Sequence, residues 1–211
     1  MQKLTMRLLI ISCLLLVTFA SCTFRTVKGF TKISSEKKVY SSPYFSSAVT
    51  DYVYKANITV YGKSLSGLFI AKKINDSTHR VVFTTEFGNS LMDLEIGPES
   101  FKVNSIVEDL DKKIILKTLK NDFRLILANK HFIRNEYENG QEKVYQSKDG
   151  SRFNFLFADK KAEQLHKIVR ASRFKEKVIV SFTSTNGQLA ETIYVKHKNI
   201  KLGIALNYLK N

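Results

Sequence analysis

The chain has 211 residues, with 34 Lys and Arg against 19 Asp and Glu, a formal charge of +15, two cysteines and no tryptophan. That length suits one domain with a substantial core or an internal cavity, and the basic surplus favours anionic partners. Both cysteines fall at the N-terminus (Cys13 and Cys22), which leaves the rest of the chain without disulfides, thiolate-bound zinc or thiol catalysis.

Lys3 and Arg7 precede the apolar run Leu8 to Val17, and the small pair Ala20-Ser21 precedes Cys22. A basic start, a short apolar core and small closing residues have the layout of an export signal, and the core is too short to span a bilayer as a helix. Residues 1–21 are therefore expected to be removed. A cysteine directly after the small pair resembles the lipobox of bacterial lipoproteins, with Phe19 where Leu is usual. The resemblance implies that Cys22 is acylated, the covalent lipid being the only group attached, with no other cofactor. Several acyl chains on one residue anchor a protein stably to a membrane. Residues 23–28 carry no acid, which by the same resemblance implies the periplasmic face of the outer membrane. The alternatives are an ordinary secreted protein with an incidental Cys22 and a retained membrane anchor.

Residues 22–49 show little periodicity and many Ser and Lys, and read as a tether whose aromatics Tyr40, Tyr44 and Phe45 are available to dock. The domain is expected over 50–211. Tyr52, Tyr54, Ala56, Ile58 and Val60 alternate with polar residues as a half-buried strand. Gly62-Lys63-Ser64 turns the chain into a strand over 65–73, and further strands are expected at 79–85, 91–96 and 101–103. Over 109–128 the period becomes helical: Leu110, Ile114, Ile115, Leu119, Phe123 and Leu127 form one stripe, with a break expected at Asn121-Asp122. Strands resume after Asn129, with hairpin signals at Asn139-Gly140, Asp149-Gly150 and Asn186-Gly187. Six more are expected, over 142–147, 152–158, 163–172, 177–183, 191–197 and 200–208.

The predicted fold class is α+β: a strongly curled antiparallel sheet of about eleven strands, an incomplete β-barrel, whose concave face is covered or filled by the helical insert. Together with the export signal, this architecture resembles the lipoprotein-localisation superfamily (LolA/LolB-like), over roughly residues 50–209. The stretches 83–96, 110–127 and 197–209 carry the local likeness. The resemblance implies a barrel with helices over its mouth that binds the acyl chains of lipoproteins in transit, and a lipidated chain looks more like the receptor than the soluble carrier. Its implied partners are the membrane, those acyl chains and a periplasmic carrier, with no nucleic acid. Same-face alternation marks Ile58, Val60, Leu68, Ile70, Val81, Phe83, Leu94, Phe155, Phe157, Leu202, Ile204 and Leu206 as acyl-cavity candidates. Leu110, Ile114, Ile115, Leu119 and Phe123 are the lid-helix candidates. The loop 87–92, with Phe87, Leu91 and Met92, is the nearest match to the receptor's membrane loop.

Catalytic and metal-binding signatures are not evident. There is no phosphate loop, nucleophile elbow or close His pair; His79, His131, His166 and His197 are scattered, and Glu136, Glu138, Asp149 and Asp159 sit near turns. The expectation is a non-enzyme. The rival to acyl binding is an envelope adaptor or assembly subunit with a filled core and no ligand.

Overall fold

The computed structural model describes residues 24–210, so the signal segment 1–21 and Cys22 lie outside the described residues. After a one-turn 3₁₀ helix at Arg25–Val27, the elements are β1 (Thr31–Ile33), β2 (Val39–Ser41), β3 (Asp51–Val60), β4 (Lys63–Lys73), β5 (His79–Thr84), β6 (Ser90–Ile96) and β7 (Phe101–Ile106). Helix α1 (Lys113–Leu127) follows. The chain ends with β8 (Lys130–Glu138), β9 (Glu142–Asp149), β10 (Arg152–Asp159), β11 (Leu165–Ala171), β12 (Glu176–Thr183), β13 (Thr192–His197) and β14 (Leu202–Tyr208).

All fourteen strands belong to one antiparallel sheet in the order β1-β8-β9-β10-β11-β12-β13-β14-β3-β4-β5-β6-β7, with β2 also on β8. The two chain halves are therefore joined by β14 pairing with β3, from Leu202↔Val60 to Tyr208↔Tyr54. Strand β7 is left as one edge, and α1 carries the chain from it to β8 near the other, so the sheet does not close. A sheet this wide must curl. Register shifts at Phe83/Thr84, Asp93/Leu94, Ile133/Asn135, Phe157/Ala158 and Arg170/Ala171 supply local bends. The strands beyond the expected eleven are β1, β2 and β8.

The inner face, packed against α1, forms the main core. Tyr52, Tyr54, Ala56, Ile58 and Val60 are buried as their alternation requires, as are Leu202, Ile204 and Leu206 opposite them. Into the same cluster come Ile115, Leu119, Phe123 and Ile126 of α1, and the Phe123 ring lies 5.3 Å from Phe69. The segment expected to be a tether also contributes. Tyr40, Tyr44 and Phe45 are buried there, with the Phe45 ring 4.9 Å from that of Tyr52 and tilted 57° to it. Burial of tyrosine is tolerable only when its hydroxyl is satisfied. Tyr44 donates to the Leu165 carbonyl at 2.6 Å, and Tyr54 to that of Ala190 at 2.8 Å.

A second cluster covers the outer face of β9–β11. Phe155, Phe157, Val144, Val169 and Ala171 pack there beneath Phe24, Val27 and Phe30, which lie before, at the end of and after the 3₁₀ turn. Both faces of β10 are thus buried, the Phe153-Phe155-Phe157 set outward and Leu156-Ala158 inward. Between β3 and β4 the turn is the two residues Tyr61-Gly62, both at positive φ (48° and 89°), the hairpin geometry that right-twisted strands prefer. Lys63 and Ser64, expected in the turn, already belong to β4.

Candidate acyl-chain face and polar seam

Eight of the twelve cavity candidates share the inner cluster: Ile58, Val60, Val81, Phe83, Leu94, Leu202, Ile204 and Leu206. Four do not. Leu68 and Ile70 face outward, because β4 buries Gly67, Phe69 and Ala71 instead; its apolar run on both parities hides the phase. Phe155 and Phe157 line the outer cluster under the N-terminal segment. A cavity joining them to the inner set would have to cross the sheet.

The phase of β4 has a steric reason. A Cβ on Gly67 would collide with the backbone carbonyl of Thr84 on β5, so only glycine fits this inward position.

Helix α1 runs unbroken through Asn121-Asp122, where a break was expected. Asp122 does not cap a new helix. It lies on the buried stripe, seven residues after Ile115, and its carboxylate accepts a hydrogen bond from the His197 ring at 2.8 Å. Burial pushes the Asp122 carboxyl above the usual range, opposed by the His197 contact and by Arg170. Of the lid candidates, Ile115, Leu119 and Phe123 are buried on α1, Leu110 is buried but lies in the turn before the helix, and Ile114 faces solvent at 58% exposure.

The helix is held unevenly. Around its C-terminal half, Arg124 donates to the carbonyls of Gly97 (2.9 Å) and Ser100 (2.8 Å), Arg170 donates to Asn121 O (3.3 Å), and Asp122 binds His197. Before Asn121, among the described residues, no side-chain hydrogen bond ties the helix to the sheet. Ile115 and Leu119 pack into the core, and the Lys120 ammonium sits 5.0 Å over the Phe101 ring.

Between the C-terminal half of α1 and the sheet lies a cavity of about 490 Å³, walled by β8–β11 on one side and by the β4–β5 and β6–β7 turns on the other. Its lining includes His79, Arg124, His131, Ser147, Asn154 and Arg170. This polar seam shows that the sheet curls far enough to bring its two halves around one space. Arg170 is buried yet fully engaged, donating to Asn154 Oδ1 and Asp149 Oδ2, both at 2.9 Å, as well as to the helix. Burial pulls its guanidinium below the ordinary value, and Asp149 opposes that. The Nε2 of His131 has no hydrogen-bond partner among the described residues, and burial lowers its pKa to about 4.

Sequence reasoning missed this polar group. Ser147, Asn154 and Arg170 are polar side chains at inward strand positions, a signal that register is needed to assemble: Asn154 pairs with both Ser147 and Arg170. The other titratable candidates are dispersed. His166 bonds Glu142 at 2.9 Å and His79 bonds the Phe45 carbonyl at 2.9 Å. Among the described residues, no group of three or more His, Cys, Asp or Glu is placed to hold a metal. No described helix is long and apolar enough to cross a membrane.

In the membrane-loop candidate, only Phe87 stands free, at 95% exposure on the β5–β6 turn. Leu91 packs against the inner core, and Met92 is wholly buried in β6, so neither is available to a bilayer.

No family model and no curated protein matches the chain. Among solved structures it is similar to a LolA-superfamily protein from Nitrosomonas europaea, at 8% identity and a TM-score of 0.49, over 79% of this chain and 87% of that one. It is also similar to a domain described as that of an outer membrane lipoprotein-sorting protein, from Vibrio parahaemolyticus, at 9% identity and a TM-score of 0.43, over 76% and 83% of the two chains. At these values the likeness is one of fold outline.

Proposed function

We propose that the domain handles acyl chains, its apolar inner face taking up a lipid chain where the N-terminal half of α1 now lies. The observation that carries this reading is the uneven hold on the helix. Asn121, Asp122 and Arg124 fix the C-terminal half through directed polar contacts, whereas Ile115 and Leu119 are held by apolar burial alone. Apolar burial is non-directional, so one apolar occupant exchanges for another without leaving an unpaired polar group. The helix is then a lid hinged at its polar end. In the proposal the protein is a non-catalytic lipoprotein, without cofactor, anchored through Cys22 at the periplasmic face of the outer membrane. It receives the acyl chains of lipoproteins from a periplasmic carrier. Those parts rest on the signal motif and the sequence resemblance, and the geometry supports the acyl-binding face.

One observation favours a second reading. The inner face is already occupied by α1 and by Tyr40, Tyr44 and Phe45, as in an adaptor with a filled core. Leu119→Ala separates the two. It weakens the lid by about 2–5 kcal/mol, so if helix and ligand compete, displacement of a fluorescent fatty acid should show at least tenfold tighter binding. A variant that melts earlier but binds no fatty acid would rule out the lid mechanism and favour the adaptor.

A further inference from the structure

The chain enters the fold against the outer face of β10, where Phe24 packs edge-on at 4.7 Å from Phe153 and 5.4 Å from Phe155. Phe30 continues the contact at 5.9 Å from Phe157, so residues 24–30 form a clasp rather than a free leader. The clasp thereby fixes Phe24 at the start of β10.

Strand register places three turns side by side at that rim. Arg152↔Asp149 closes the β9–β10 turn, Phe153↔Ala171 sets β11 beside it, and Ala171↔Glu176 closes the β11–β12 turn. The Lys198 amide donates to Lys177 O at 2.9 Å, which brings up the β13–β14 turn. Lys148, Arg152, Arg173, Lys175 and Lys201 are exposed along this stretch, and among the described residues none of them is paired with an acid. Of the acids on these turns, Asp149 is engaged by Arg170 and Glu176 by Lys198, while Asp76 and Glu99 stand across the cavity from Lys148. Arg25 and Lys28 add two more exposed cations on the clasp. At the tip of the β11–β12 turn, closed by Ser172 N donating to Lys175 O at 2.9 Å, Phe174 is 69% exposed between Arg173 and Lys175.

An exposed aromatic ring flanked by cations suits one surroundings above others, the head-group layer of an anionic bilayer, where the ring meets acyl boundary and the cations meet phosphate. We infer that this rim, from the β9–β10 turn to the β13–β14 turn, seats on an anionic membrane surface with Phe174 at head-group level. The inference is independent of acyl carriage and of any lipid on Cys22. It gives the clasp a purpose: the chain entry point and the basic turns present one face, so the domain lies on the bilayer in a set orientation.

The test uses a chain beginning at Thr23, which contains every described strand and the helix and carries no lipid. Co-sedimentation with vesicles of phosphatidylcholine containing phosphatidylglycerol should show binding that neutral phosphatidylcholine vesicles do not. Each cation near such a surface is worth about a fivefold change in affinity. The triple variant Arg152→Gln, Arg173→Gln, Lys175→Gln should therefore bind about a hundredfold more weakly, and Phe174→Ser about tenfold more weakly. A control triple at the other end of the strands, Lys32→Gln, Lys161→Gln, Lys210→Gln, all exposed, should bind as the parent does. Equal binding to neutral and anionic vesicles would overturn the inference. So would an equal loss in the two triples, which would show only the general charge of the protein.

Discussion

Replacing His131 by Phe should remove much of the protein's sensitivity to mild acid. The ring is 6% exposed, lies against the seam with Arg124, Arg170, Lys130 and Lys148 around the cavity, and has an unpartnered Nε2. Burial is the main cause that lowers its pKa from 6.5 to about 4, and the positive charge of Arg170 adds to it. A folded-state value below the unfolded one means that the unfolded chain takes up the proton first. The stabilisation is therefore complete above pH 6.5 and is lost as pH falls toward 4. A difference of about 2.5 pH units corresponds to about 3 kcal/mol at the acid limit. Urea denaturation at pH 7, 6, 5 and 4 measures it. His79 and His166, also shifted down by burial, remain in the variant and leave a residual slope. His131→Phe should lose about 3 kcal/mol less than the parent between pH 7 and 4. Parallel losses in the two proteins would refute the claim that this buried neutral imidazole carries the acid response.

Two further outcomes test the packing. Phe123→Ala empties the place where α1 meets Phe69 and should cost about 3–5 kcal/mol, lowering Tm by about 2–4 °C per kcal/mol in a chain of this size, read by calorimetry. Gly67→Ala drives a methyl group into the Thr84 backbone and should cost about 3 kcal/mol or more, whereas the same change at solvent-open Gly140 should leave the melting temperature nearly unchanged.

Much of this architecture is legible in the residues, and the failures have definite causes. In β3 and β14 the large apolar residues keep to one parity, Val53 excepted, so both the strands and their buried faces can be read directly. In β4, Leu65, Leu68, Phe69 and Ile70 are apolar on both parities. The inward phase there is decided by the close approach of Thr84 to Gly67, a tertiary fact. For β10 the signal was present: Phe153, Phe155 and Phe157 on one parity and Leu156 and Ala158 on the other mark a strand buried on both faces. What could not be read was the cover, since Phe24, Val27 and Phe30 lie more than a hundred residues away in a stretch without periodicity. Strands β1 and β2 have three residues each, too few for a period to show. Asp122 has the side chain of a cap and reads as a helix break, and only the curl of the sheet, which brings His197 to it, makes it an internal residue of α1.

The acyl chain proposed for the inner face is open to direct detection. Native mass spectrometry of the full-length protein, extracted gently from membranes, tests for it most directly, followed by displacement of the bound species with a lipopeptide. The expected result is a bound species with the mass of an acyl lipid, released by the competitor and retained in variants of the outer cluster such as Phe155→Leu. A protein that carries no lipid and takes up none from a fluorescent fatty acid would contradict it, and would leave α1, Tyr44 and Phe45 as the permanent filling of a closed core.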